Sequence, residues 1–271
     1  MEKKLFPNLI LNIPWSIFGR KAMTSSAIVD ALRVLKTGRI VDLTHLVHPG
    51  IQRFGAFPAM TSETRYTVAE SGFHVEQVSF VTQYGTHIDA PEHFVEGRRT
   101  LEAVELDELM LPLFVLHFED KVAADPEFIV HADDVKAWEA EHGPIAPESF
   151  VAFSSGWYRR MSGGDMNNRD AEGVAHCPGW GLDALEYLFE TRGVTAVGHE
   201  TLDTDGSADV RAKGFLYGEK YVLEHNHYQI EVMANLDQVP STGAVIFVGV
   251  PKFDRLPGFP VRAWAVVPAE A

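Results

Sequence analysis

Residues 83–93 read Gln83-Tyr84-Gly85-Thr86-His87-Ile88-Asp89-Ala90-Pro91-Glu92-His93, the densest run of metal-ligating and proton-transferring side chains in the chain. His87 and Asp89 are two apart, so on an extended strand both side chains leave the same face. An imidazole and a carboxylate converging there suit a divalent metal, zinc or manganese. Gly85 bends freely and Pro91 cannot continue a ladder, so the strand is short and punctuated at both ends. His93 follows the rigid turn that Pro91 imposes, which can return it beside the same site. A single histidine here is more often an ordinary loop residue than a ligand. The concentration of residue types carries the reading.

Outward from this run, strand and helix signals alternate without repeats or low-complexity tracts. Segments 39–43, 75–84, 112–118, 150–154, 194–198, 228–233, 244–250 and 261–267 read as strands, the second alternating up to the site. Segments 27–35, 132–142, 182–191 and 217–223 read as helices, with a short helical turn at 105–110 and a loop at 162–173. Ser25 or Ser26 suits the first cap, and Gly143 and Gly193 are natural stops. No linker interrupts 23–271, so one α/β domain with a β-rich core is expected there.

Composition bounds the function. The 271 residues are 46% hydrophobic and 23% charged, which suits a globular chain with a substantial core. A formal charge of −15 argues against nucleic acid or an anionic membrane as partner, since both demand a basic face. The lone Cys177 rules out an internal disulfide and a thiolate zinc cage, and a partly buried inert thiol is its safer reading. Near the start, Lys3 and Lys4 precede an apolar stretch that Pro7, Asn8, Asn12 and Pro14 interrupt. No small-x-small cleavage site follows, and the stretch is too short and broken for a membrane span. Residues 1–22 are therefore expected to be an extension, either an arm on a partner subunit or residues upstream of the natural start. The body is expected in the cytoplasm.

At Gly85-Thr86-His87-Ile88-Asp89-Ala90-Pro91-Glu92-His93 the chain resembles the cyclase family of metal-dependent hydrolases, which includes kynurenine formamidase and isatin hydrolase. The family signature runs His-x-Gly-Thr-His-x-Asp-x-Pro-x-His, and its leading His is Gln83 here. Weaker likenesses lie at Val41-Asp42-Leu43-Thr44, Ser155-Gly156-Trp157, the run from Gly198 to Asp205, and the run from Ile230 to Asp237. The resemblance implies a swivelling β/β/α fold, a small-molecule substrate and a homo-oligomer. It implies His87, Asp89 and Glu231 as metal ligands and His93 as the acid–base residue. The family also carries a His about twelve residues before the late glutamate, where this chain has Glu219; His225 and His227 lie nearer. Gln83 could offer a metal only a neutral carbonyl oxygen.

Metal-activated water attacking an amide, lactam or ester carbonyl, with His93 moving the proton, is the expected chemistry. Two alternatives stay open: a cyclase or dehydratase of small-molecule biosynthesis, and a degenerate member that binds a ligand without catalysis. Trp157, Trp180 and His199 are candidate substrate contacts, although tryptophans more often fill core.

Overall fold

The structure, a computed structural model, describes residues 25–269, so the arm expected over 1–22 lies outside the described residues. The chain divides after Thr37 into two units. In the first, the helix Ser25–Leu35 starts two residues ahead of the expected Ala27 and closes with N–H bonds from Lys36 and Thr37 to Leu32 and Val34.

The second unit begins at Gly38 and is built on strands. These are β1 (Arg39–Asp42), β2 (Thr61–Tyr66), β3 (Val75–Ser79), β4 (His87–Asp89), β5 (Met110–His117), β6 (Ile129–Val130) and β7 (Phe150–Ser154). There follow β8 (Gly179–Trp180), β9 (Ala196–His199), β10 (Tyr228–Glu231), β11 (Ala244–Gly249), β12 (Gly258–Pro260) and β13 (Arg262–Val267). Nine of them form one mixed sheet in the order β1-β13-β11-β5-β7-β9-β10-β4-β12. Its middle pairs, β5–β7, β7–β9 and β9–β10, are parallel.

Parallel strands are covered on both faces, which is why Phe150–Ser154 is apolar almost throughout and buried at every position. Successive side chains then part company. Phe150 and Ala152 join Ile88, Ile230 and Ile246 in a core around which the sheet curls as a half-barrel. Val151 and Phe153 face the other way and pack with Val135, Leu185, Leu188 and Val222 from the helices. The expected α/β class with a β-rich core is the observed one.

Two expectations need correction. The strand read over 75–84 ends at Ser79, pairs with β2 as a separate ribbon, and is exposed along its length. Its alternation reflects the ribbon; Tyr84 leaves it to bury its ring and donate its hydroxyl toward His48 and Pro49 carbonyls. The helix over 182–191 changes at Tyr187 from an α-helix to one π-helical turn, Tyr187–Thr191.

Candidate metal centre

The centre is built from strand register. β4 lies between β10 and β12, with His87 opposite Glu231 and Asp89 opposite Gln229. Ile88 and Ile230, between them, point into the half-barrel core. Period-two geometry thus sets His87, Asp89, Gln229 and Glu231 on one face as two cross-strand pairs. All four are buried.

His87 Nε2 lies 3.5 Å from Asp89 Oδ2 and 3.5 Å from Glu231 Oε2. Its Nδ1 lies 2.8 Å from the Gly85 carbonyl, so the proton belongs on Nδ1 and the other nitrogen faces the carboxylates. That Nε2 is buried with no hydrogen-bond partner. Gly85 supplies its carbonyl from φ +66°, and a Cβ there would lie 3.0 Å from Val47. Immediately after Glu231, Val232 is held at φ +56°, a strained conformation for a β-branched residue. Its N–H donates to Thr201, and its carbonyl accepts from the Thr86 hydroxyl at 2.6 Å.

A second group of donors shares Asp89. His93, on the short 3-10 turn Pro91–His93, places Nε2 4.0 Å from Asp89 Oδ1 and 3.9 Å from Glu219 Oε1. Glu219 enters from the first turn of the helix Tyr217–Glu224, where Asp205 accepts the N–H bonds of Gly218 and Glu219 at 2.7 and 2.9 Å.

The electrostatics are those of crowded, buried carboxylates. Burial resists a charged His87, but Asp89 and Glu231 outweigh it and push the imidazole up to about 9. Burial likewise resists ionised Asp89, yet His87 draws it down to about 2. Glu219 and Glu231 both rise well above the ordinary carboxylate range, through burial first and neighbouring carboxylates second. A divalent cation answers all of these strains at once, competing with the proton for His87 Nε2. Two compact donor groups, His87 with Asp89 and Glu231, and Asp89 with His93 and Glu219, fit such an ion.

Of the residues singled out in the sequence, His87, Asp89, His93, Glu219 and Glu231 converge. Gln83 joins them as a hydrogen-bond donor, its Nε2 3.1 Å from Asp89 Oδ1. His225 and His227 stay apart: their Nδ1 atoms bond the Tyr221 and Thr195 carbonyls. His199 sits behind the centre, buried, with Nε2 3.5 Å from Glu231 Oε1 and both ring nitrogens on threonine hydroxyls. Burial brings its pKa down to about 4, so it is a neutral buttress to Glu231. The structure does not bring Trp157 or Trp180 to the cavity. Trp180 is fully buried against Phe153, and Trp157 spends its indole N–H on the Met166 carbonyl. The hydrophobic gap behind β7 takes both rings.

Gln229 was missed. Its Nε2 donates to Asp89 Oδ2 at 3.3 Å and Glu231 Oε1 at 3.0 Å, while its Oε1 accepts from Thr204 at 2.8 Å. The signal was available, since Gln229 precedes Glu231 by two on a strand and shares its face.

His87, His93, Glu219 and Glu231 line a cavity of about 210 Å³ whose walls include Phe54, Phe57, Phe94, Leu202 and Leu216. A family described as putative cyclase matches residues 41–206. The chain is also 33% identical over 191 residues to isatin hydrolase of Roseibium aggregatum, covering 68% of this chain and 71% of that protein. The chain belongs to the putative cyclase family. Among solved structures, this cyclase-family chain is similar to isatin hydrolase A from Ralstonia solanacearum, with a TM-score of 0.82, 27% identity, and coverage of 90% of this chain and 98% of that one. An isatin hydrolase bound to the product analogue thioisatinate gives 0.82 and 27%, covering 91% and 100%. A potential metal-dependent hydrolase with cyclase activity shares the fold at a TM-score of 0.61 and 21% identity, covering 84% of this chain and 96% of that one.

Proposed function

We propose that this chain opens a small cyclic amide by hydrolysis, using a zinc or manganese ion held by His87, Asp89 and Glu231, with His93 moving the proton. Its class, a metal-dependent hydrolase of small molecules, follows from the family and from the 33% identity to isatin hydrolase. The observation that carries the metal reading is His87 Nε2, buried, partnerless and equidistant from two carboxylates.

When bound, the cation supplies Lewis-acid polarisation of water and of the amide carbonyl. The chain's own residues do the rest. His93 Nε2, 4.0 Å from Asp89 Oδ1 and 3.9 Å from Glu219 Oε1, stands where it can take the water proton. It returns that proton to the leaving nitrogen. Phe54, Phe57, Phe94, Leu202 and Leu216 give a flat ring an apolar wall and keep bulk water from the carbonyl. Gln83 and Gln229 steady Asp89 from opposite oxygens.

A cytoplasmic homo-oligomer accompanies this reading. Among the described residues no helix is long and apolar enough to cross a membrane. The ribbon of β2 and β3 exposes Tyr66 with Val75 opposite it and Phe73 against it, the kind of apolar surface that a second copy covers.

The test is zinc and manganese content of protein purified without chelator, alongside isatin hydrolysis, for the wild type and Asp89→Ala. Stoichiometric metal and turnover that both vanish in the variant are expected. A wild type that takes up neither ion sinks the proposal.

A further inference from the structure

The cavity above shares a wall with a larger one. This outer cavity, about 690 Å³, carries Arg53, Arg169 and Arg211 on its lining. Gln52, Arg53, Phe54, Leu202 and Asp203 border both spaces. Three arginines line this space together with Asp203 and Asp205. They are not equivalent. Arg211 is neutralised by Glu127 at 2.6 Å, and Arg169 donates to the Gly173 carbonyl at 2.6 Å. Arg53 is the only arginine or lysine among the described residues that lines the inner cavity.

Arg53 is held but not neutralised. Its Nε and Nη1 donate to the carbonyls of Phe57 and Ile51 at 2.9 and 3.3 Å. Its guanidinium carbon lies 5.9 Å from the centre of the Tyr84 ring. Among the described residues no carboxylate pairs with it, and its hydrogen bonds use Nε and Nη1 and leave Nη2 without a partner. The backbone anchors fix the planar fork in advance, so an arriving anion need not order it.

Ring opening creates that anion. The water oxygen bonds to the carbonyl carbon as the ring C–N bond breaks, the nitrogen takes one proton of that water, and the new carboxylic acid gives the other to solvent. The carboxylate therefore forms in the inner cavity, where Arg53 is the one arginine or lysine on the lining among the described residues. We propose that Arg53 is the carboxylate-receiving residue on the wall shared by the two cavities, binding the product of ring opening as it leaves the metal donors. This inference rests on the hydrolase reading above.

The experiment compares metal-loaded wild type, Arg53→Gln and Arg53→Lys, with folding checked by circular dichroism. Thioisatinate binding is measured calorimetrically and the KM for neutral isatin kinetically. Losing a charge-assisted hydrogen bond to a carboxylate should weaken thioisatinate about 10-fold or more in Arg53→Gln. The KM for isatin, which carries no charge, should change several-fold less than thioisatinate binding, and Arg53→Lys should recover most of the lost binding. A parallel loss for both compounds, or no loss of thioisatinate binding, overturns the assignment while leaving hydrolysis intact. A wild type that binds thioisatinate but leaves isatin unchanged fails the hydrolase reading for this ring, and the Arg53→Gln comparison still decides the anion site. A wild type that takes neither compound overturns both.

Discussion

Replacing Gln229 by leucine isolates what hydrogen bonding contributes to the centre. The side chain is fully buried on β10, and leucine preserves much of its bulk without touching the strand ladder. Two donations disappear, at 3.3 Å to Asp89 and 3.0 Å to Glu231, and Thr204 loses its nearer acceptor while keeping Glu231 Oε1 at 3.3 Å. A hydrogen bond to a charged group contributes about 1.5–3 kcal/mol, and at these lengths the pair is worth one strong bond and a fraction of another. Losing a partner that orients metal ligands typically costs about 10–100-fold in affinity, equivalent to about 1.4–2.8 kcal/mol. The dissociation constant for zinc or manganese should rise by that factor, read by competition against a chromophoric chelator. At saturating metal, kcat should stay near wild type, because Gln229 is absent from the cavity lining. The melting temperature of metal-free protein separates this effect from damage to the fold. An unchanged dissociation constant would refute the reasoning, showing that packing alone aims Asp89 and Glu231.

Three further predictions follow from other parts of the molecule. His93→Ala should lower kcat about 10²–10⁴-fold while elemental analysis finds the metal retained, the expected loss for a proton-transfer group. Glu200, whose Oε2 accepts from Ser155 and Trp157 N–H groups, is pushed by burial from the ordinary 4.5 up to about 7. The folded state therefore holds a proton that the unfolded chain releases, so stability falls as pH rises from 4.5 to about 7 and then levels. At about 1.36 kcal/mol per pH unit the drop is about 3 kcal/mol, and Glu200→Gln should flatten that part of a melting-temperature profile. In Gly258→Ala the new Cβ would meet the Ile88 carbonyl at 2.5 Å, Gln83 Nε2 at 2.6 Å and Asp89 Oδ1 at 3.0 Å. Such overpacking costs typically about 1–3 kcal/mol, visible as a lower urea midpoint, and weaker metal binding should accompany it.

The centre was readable where local rules govern and hidden where pairing governs. Spacing of two along an extended strand placed His87 and Asp89 together, and Gly85 and Pro91 correctly bracketed a strand only three residues long. Uninterrupted apolar runs such as Phe150–Ser154 announced the buried parallel strands. Nothing local says that Glu231 lies opposite His87, 144 positions away, because register is settled by which hydrophobic faces meet. The delivery of Glu219 depends on Asp205 bonding a helix start in another segment. The ribbon deceived for a related reason: alternation at 75–79 is genuine, but it marks a pair of strands standing free of the main sheet.

The amide of Gln83, resting on Asp89 Oδ1, also has a meaning in genetic terms. Glutamine and histidine codons differ only in their third base, so this position is one nucleotide from an imidazole. The exchange would swap an N–H that steadies a carboxylate for a lone pair that seeks the cation directly. A single nucleotide change therefore exchanges the group that faces Asp89, with β4 and the partners that pair with it left unaltered.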